Sequence, residues 1–266
     1  MDAEKVRLYG KAPYRVAVVH GGPGAAGEMA PVARTLGATC GVLEPLQTAM
    51  TVADQTDELA GVLGPYADGP ATLVGHSWGA WLSLLTAGKF PELVGKVVLV
   101  SSGPFREADA ASIMRTRLAR LDVREQRRTH EVMQELYAAG PAPKDAALAA
   151  FGALMAKADA VDPLPPEAGD AVSCRQDIFQ SVWDEAHALR KSGELLVLAQ
   201  QVRCPVVVMH GADDPHPFLG VRDPLAAILP DCRFLLLPHC GHTPWLERRA
   251  KDRFFQLLGE ELLLVP

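Results

Sequence analysis

The chain has 266 residues, 48% of them hydrophobic, enough for one large α/β domain or a core with an insertion. A formal net charge of −6 argues against a nucleic-acid or anionic-membrane partner, which needs a clustered positive excess. No apolar run approaches the ~18 residues of a membrane span, and the polar residues 1–5 lack the apolar stretch of a signal peptide.

Five cysteines, Cys40, Cys174, Cys204, Cys232 and Cys240, are scattered with no C-x-x-C pair. They read as reduced thiols of a cytoplasmic protein, with Cys240, two residues before His242, either lining the site or, the favoured reading, a small packing residue.

Residues 4–10 are a candidate edge strand. Tyr14-Arg15-Val16-Ala17-Val18-Val19 is a β-rich run that becomes continuously apolar, as a strand covered on both faces requires. It ends in His20-Gly21-Gly22-Pro23-Gly24. Pro23 breaks the spacing of a dinucleotide fingerprint, and the Lys-Ser/Thr of a phosphate loop is missing. The loop is either a plain tight turn or a source of a backbone N–H for an oxyanion. Residues 27–36 read as a helix on Met29, Val32, Ala33 and Leu36, and 40–45 as the next strand. A helix opening near Thr51 carries Leu59, Val62 and Leu63 on one face.

Residues 71–74 form a strand that runs into Gly75-His76-Ser77-Trp78-Gly79 and then a helix over 78–90, apolar nearly all round and so buried. This is a G-x-S-x-G motif in the strand–turn–helix context that a nucleophile elbow needs. The turn strains Ser77 and lifts its Oγ clear of the sheet. Gly75 and Gly79 are glycine because strand and helix pass too close for a Cβ. Residues 96–101 form another strand. The alternation of strand and helix predicts a mostly parallel sheet with right-handed crossovers and helices on both faces.

Composition then shifts. Residues 104–197 show no strong strand and carry helical patterns around 109–138, 144–158 and 176–191, with Met114, Leu118 and Leu121 at i, i+4, i+7. Pro141, Pro143, Pro163, Pro165 and Pro166 separate the segments. This predicts a helical cap, or lid, inserted over the C-terminal edge of the sheet, leaving 1–103 and 198–266 as the core. Arg115, Arg117, Arg120, Arg124, Arg127 and Arg128 alternate with Asp122, Glu125 and Glu131, the pattern of a solvated helix face. Strands resume at 204–210 and 232–237. A last helix from about 246 to 258 turns Phe254, Phe255 and Leu258 to the sheet.

A serine hydroxyl needs a base within hydrogen-bond reach and a carboxylate to orient that base. Both must come from loops at the carboxyl ends of the strands. His210-Gly211-Ala212-Asp213-Asp214-Pro215 follows a strand and offers two carboxylates, of which Asp214, three residues past Gly211, is favoured over Asp213. Among eight histidines, His242 follows a strand and precedes the last helix. His210, His216 and His239 read as structural. The order Ser, Asp, His is the one an α/β-hydrolase uses.

On residues 20–24, 75–79, 211–214 and 241–242 the chain resembles the α/β-hydrolase superfamily over nearly its whole length. The resemblance implies Ser77 as nucleophile, His242 as base, Asp214 as orienter, and the N–H groups of Gly22 and Trp78 as oxyanion hole. His-Gly-Gly-Pro-Gly with Gly-x-Ser-Trp-Gly resembles the proline iminopeptidase branch, where lid carboxylates hold a free α-amine. Trp183, Asp184 and Glu185 are loosely similar to that branch's Trp-Glu lid segment; the alternative is a surface acidic pair. Trp245 joins Trp81, Trp183 and Phe218 as candidates for an apolar pocket.

The expected activity is hydrolysis of a small amide or ester through an acyl-enzyme. Alternatives are a carboxylesterase or C–C bond hydrolase of the same fold, or a binding protein that kept the fold. Halide displacement and epoxide opening are disfavoured because position 77 is Ser, not Asp. No metal or cofactor is expected, since His and carboxylates fall at no ligand spacing such as H-E-x-x-H.

Overall fold

The computed structural model describes residues 5–138, 140, 144–165 and 173–263. Met1-Asp2-Ala3-Glu4 and the separators Pro141, Pro143 and Pro166 lie outside the described residues.

The chain begins with β1 (Val6–Tyr9), β2 (Tyr14–Val19), a two-residue β3 (Ala25–Ala26), α1 (Ala30–Gly37) and β4 (Gly41–Pro45). It continues through α2 (Val52–Tyr66), β5 (Ala71–His76), α3 (Trp78–Lys89) and β6 (Val94–Val100). Then come α4 (Glu107–Ala110), α5 (Ile113–Ala119), α6 (Val123–Tyr137), α7 (Asp145–Asp159), a two-residue β7 (Ser173–Cys174), α8 (Gln176–Ser192) and α9 (Glu194–Ala199). The chain closes with β8 (Val206–Gly211), α10 (Leu219–Ile228), β9 (Cys232–Leu237), a 3-10 turn (Pro244–Leu246) and α11 (Lys251–Leu263).

Seven strands make one sheet in the order β1-β4-β2-β5-β6-β8-β9. Only β1 runs antiparallel, on β4. The expected mostly parallel sheet is therefore what forms, and its order jumps across β2 through helical crossovers. Period-two alternation sorts the strand residues onto two cores. Ala17, Val19, Val97, Leu99, Val206 and Val208 face α2, α3 and α8–α10. Val16, Val18, Val98, Val100, Val207 and Met209 face α1 and α11. Central strands apolar on both faces are what helices on both sides demand.

Local signals set the helix ends. Thr51 caps α2, its side chain accepting the Asp54 N–H at 3.0 Å. Asp122 and Glu125 form a reciprocal capping box at the start of α6. Helix α10 went unanticipated because Gly220 and Pro224 lie inside it. Proline cannot donate to the carbonyl four residues back, and the Gly220 carbonyl accepts the Phe105 N–H instead, at 3.1 Å.

Between β6 and β8, helices α5–α7 build small clusters of their own around Val132, Leu136, Leu148, Leu121 and Met155. Helix α8 sends Ile178, Val182 and Ala186 into the core on the α2/α3 face. The pair β3–β7 ties the loop after β2 to the entry of α8, with Ala25 opposite Cys174.

Candidate active site

β5 ends at His76 and α3 starts at Trp78, so Ser77 makes the turn alone, at φ +52° and ψ −112°. Such a conformation in a non-glycine residue costs on the order of 1–3 kcal/mol and persists only where the surroundings impose it. They do. A Cβ on Gly75 would sit 2.2 Å from the Gly79 carbonyl oxygen, and one on Gly79 would sit 2.2 Å from that of Val19. The Ser77 N–H is tied to the Val100 carbonyl at 3.0 Å. Trp78 opens α3, where a backbone N–H has no carbonyl one turn back to receive it.

The carboxylate of Asp214 is fully enclosed and is held between two imidazoles. Its Oδ2 is 2.8 Å from His242 Nδ1, and its Oδ1 is 2.8 Å from His216 Nδ1 and 2.9 Å from the His216 backbone N–H. His210 Nε2 lies 3.6 Å from Oδ2 and donates to the His216 carbonyl at 2.9 Å. An ionised carboxylate only accepts, so both facing Nδ1 atoms carry hydrogen and both Nε2 atoms are left to other partners.

Burial pushes Asp214 up, but the charges of His242 and His216 with their hydrogen bonds hold it well below the ordinary carboxylate range. Burial opposes charge on His242, and Asp214 outweighs it, raising this imidazole above its ordinary value. His216 goes the other way, to about 4, through burial and then the charge of His242.

Loop geometry brings these side chains together. A Cβ on Gly211 would sit 2.2 Å from the Gly241 carbonyl oxygen, so only glycine lets the two loops pass. The His242 N–H is held by the Asp159 carbonyl at 3.0 Å. Buried Glu247 gathers three backbone N–H groups, from Gly241 at 3.0 Å, Val161 at 2.9 Å and Asp162 at 2.8 Å. It pins the His242 loop to the end of α7, and nothing in the sequence singled it out.

In the loop after β2, the Gly21 N–H is committed to Glu28 Oε2 at 2.7 Å. Gly22 follows at φ +44° and closes a turn by accepting the Ala25 N–H at 2.8 Å. Buried His20 places Nδ1 2.8 Å from the Gly21 carbonyl and receives the Gln47 N–H on Nε2 at 3.3 Å. Gln47 and Gln55 in turn accept the Trp78 indole N–H at 2.9 and 3.1 Å. His76 Nδ1 is 3.1 Å from Glu28 Oε2, and its Nε2 is 3.0 Å from the His242 carbonyl oxygen.

Other candidates are placed elsewhere. Glu185 Oε2 accepts the Val52 N–H at 2.6 Å and so closes the start of α2. Asp184 is exposed and takes both its oxygens to Gln180 Nε2, at 2.9 and 2.8 Å. Trp183 stacks at 6.2 Å on Trp81, whose own indole N–H goes to the Gly103 carbonyl. Trp245 is buried in the core against α1 and α11, edge-on to His76 at 4.7 Å.

Asp213 is exposed, and its carbonyl accepts from Arg120 at 2.6 Å. The fully solvated face expected for the arginines holds for Arg128, on Glu131 and Glu135, but not for Arg117. Arg117 makes a two-pronged pair with buried Asp159 at 2.7 and 2.6 Å, and its Nη2 lies 3.4 Å from His216 Nε2. Cys240 is fully buried, as a packing residue would be. Among the described residues, Asp214, His216 and His242 are the grouping whose ligand-type atoms fall within 4.8 Å of one another. Each imidazole Nδ1 there already has a carboxylate oxygen at hydrogen-bond distance.

The profile of the alpha/beta hydrolase fold matches residues 23–248. The chain belongs to the α/β-hydrolase fold family. This α/β-hydrolase is 36% identical over 78 residues to a 2-(acetamidomethylene)succinate hydrolase of Mesorhizobium japonicum, a match over 29% of this chain and 28% of that one. It is 26% identical over 199 residues to a pimeloyl-[acyl-carrier protein] methyl ester esterase of Nitrosomonas europaea, over 73% of this chain and 72% of that one. The crystal structure of VinJ superposes with a TM-score of 0.70 at 18% identity, covering 98% of this chain and 95% of that one. No helix among the described residues is long and apolar enough to cross a membrane.

Proposed function

We propose that this α/β-hydrolase cleaves a small carboxylic ester or amide through an acyl-enzyme on Ser77. The observation that carries the proposal is the enclosed Asp214 carboxylate holding His242 by Nδ1 at 2.8 Å. With Nδ1–H fixed there, the His242 Nε2 lone pair is the proton acceptor that a serine nucleophile needs.

Ser77 Oγ attacks the substrate carbonyl carbon while its proton passes to His242 Nε2. The carbonyl oxygen becomes an oxyanion, received by the N–H groups of Gly22 and Trp78. Collapse expels the alcohol or amine, which takes the proton from His242. Water then adds to the acyl carbon with His242 again accepting a proton. The second collapse returns the proton to Ser77 Oγ and releases the acid.

Helices α5–α7, packed in clusters of their own, are the natural cap over this site. An ester or a simple amide is favoured over a substrate with a free amine, because Glu185 and Asp184 are engaged elsewhere. The esterase relative points the same way.

The test is labelling with a serine-directed fluorophosphonate, with peptide mapping, beside turnover of three compounds. These are a short-chain nitrophenyl ester, an amino-acyl anilide with a free amine, and the same anilide N-acetylated. The expected outcome is label on Ser77 and fastest turnover of the ester. Absence of label in folded protein, or unchanged turnover in Ser77→Ala, overturns the proposal. Cleavage confined to the free-amine anilide makes the chain an aminopeptidase instead.

A further inference from the structure

Beneath the serine turn lies a pair of side chains that the triad does not use. His76 is 1% exposed in its side chain and stands one residue before Ser77. Its Nε2 faces the His242 carbonyl oxygen at 3.0 Å, and its Nδ1 faces Glu28 Oε2 at 3.1 Å. That same Oε2 receives the Gly21 N–H at 2.7 Å.

Hydrogen-bond chemistry decides where the protons are. A backbone carbonyl only accepts, so Nε2 of His76 carries hydrogen. Oε2 already accepts from Gly21, so the shared contact is best met by a second hydrogen on Nδ1.

We propose that Glu28 and His76 form a carboxylate–imidazolium pair that positions both halves of the site. One end of the pair fixes the Gly21–Gly22 turn, which carries the oxyanion N–H. The other end fixes the backbone of the base, His242. Both are positioning residues, and the inference rests on the serine-hydrolase reading above. It assigns a role to side chains separated from their partners by 7, 48 and 166 positions in the chain.

The charges are balanced in a way that matters to the base. The His76 and His242 rings lie 4.8 Å apart between centroids. An uncompensated imidazolium at 76 would oppose the imidazolium that forms at 242 in each half-reaction, and Glu28 cancels that charge. The other charged or titratable groups around His242 are His210 from β8, which also faces His76, Asp214 and His216 from the segment after β8, Asp159 from α7 and Arg117 from α5. His20 also faces Glu28.

An amide does not reproduce a charged oxygen that accepts two hydrogen bonds. With Glu28→Gln, the atom facing both donors is an oxygen with no charge to hold the imidazolium, or a nitrogen that meets the Gly21 N–H donor to donor. His76→Gln leaves the Glu28 carboxylate without its counter-charge.

The experiment measures ester hydrolysis against pH for wild type, Glu28→Gln, His76→Gln and the double variant, with fluorophosphonate labelling alongside. The expected result is a fall in kcat of about tenfold or more with little change in KM for each single variant. In His76→Gln the acid limb of kcat/KM moves to higher pH, and in the double variant it returns. A merely structural role would not produce that shift and return.

Wild-type kcat in the single variants, or an acid limb that stays in place in His76→Gln, overturns the inference. Nitrogen-15 NMR of histidine-labelled wild type reads the pair without relying on a variant that must fold. Two protonated ring nitrogens on His76 at neutral pH support it, and one overturns it. If wild type neither labels at Ser77 nor turns over the ester, the serine-hydrolase reading fails and this inference falls with it.

Discussion

The imidazoles of His216 and His242 stack with centroids 4.2 Å apart and planes 26° apart, each placing Nδ1 on a different oxygen of Asp214. One carboxylate cannot stabilise two imidazolium ions in contact, so the pair divides. His242 is pushed up and His216 down.

Under the proposed mechanism His242 must be neutral to act as base, so activity should fall with acid at a midpoint above the ordinary histidine value of 6.5. Asp214→Asn should lower that midpoint and cut kcat by about 10³–10⁴-fold, having lost both the charge and the enforced tautomer. A kcat/KM profile for wild type and variant checks both.

Stability should follow the other histidine. The unfolded chain binds a proton at 216 near pH 6.5, whereas the folded one waits until about 4. Between those values the unfolded state holds more protons, so stability present above pH 6.5 is lost as pH falls toward 4, by roughly 3 kcal/mol. Glu28, held at about 2 by His76 against burial, extends the loss from 4.5 downward. His242, whose value is raised, contributes in the opposite sense above pH 6.5. Urea midpoints across pH 4–8 should show a flatter slope below pH 6.5 in His216→Asn than in wild type.

Ser77→Gly should melt above Ser77→Ala, though both lose turnover. Glycine adopts φ +52° without a Cβ penalty, and the relief is about 1 kcal/mol after its extra unfolded-state entropy. Scanning calorimetry of the two inactive variants isolates the strain at the turn.

Gly79→Ala should cost about 3 kcal/mol or more, since its new Cβ meets backbone oxygen at 2.2 Å with no flexible neighbour to yield. Gly152→Ala, on α7 with nothing within 4 Å, should be neutral or slightly stabilising. Denaturant midpoints of the two compare crowded and open glycines directly.

Arg117→Ala should destabilise by about 3–5 kcal/mol, because it strands the Asp159 carboxylate in a buried place. Activity should fall too, since the Asp159 carbonyl holds the His242 N–H. An apolar pair, Arg117→Met with Asp159→Leu, should recover much of the stability. Thermal melts of the single and double variants distinguish the stranded charge from lost packing.

The strands that carry the site were legible because buried parallel strands are short continuous apolar runs. Residues 232–237 match β9 end to end, and α2 opens next to Thr51, where a helix start was expected. The G-x-S-x-G turn was legible because two glycines with a serine between them leave few alternatives. Helix α10 was hidden by its internal proline. Glu28, Gln47, Arg117 and Glu247 were hidden because their partners lie far along the chain, at separations of 48 between Glu28 and His76 and 42 between Arg117 and Asp159. Asp214 was favoured over Asp213 from its place three residues past Gly211, and it is the Asp214 carboxylate that meets His242 in the fold.

The His76–His242 contact bridges 166 positions, from the end of β5 to the loop after β9. Under the proposed mechanism, a chain still growing, or one whose last strand has come undone, retains Ser77 and its glycines without a docked His242 to accept its proton. On that mechanism, reaction at Ser77 waits until the final loop docks. The fraction of molecules that a serine probe captures is a census of finished ones, and it will decline before the bulk helix signal does when the C-terminal strand begins to fray.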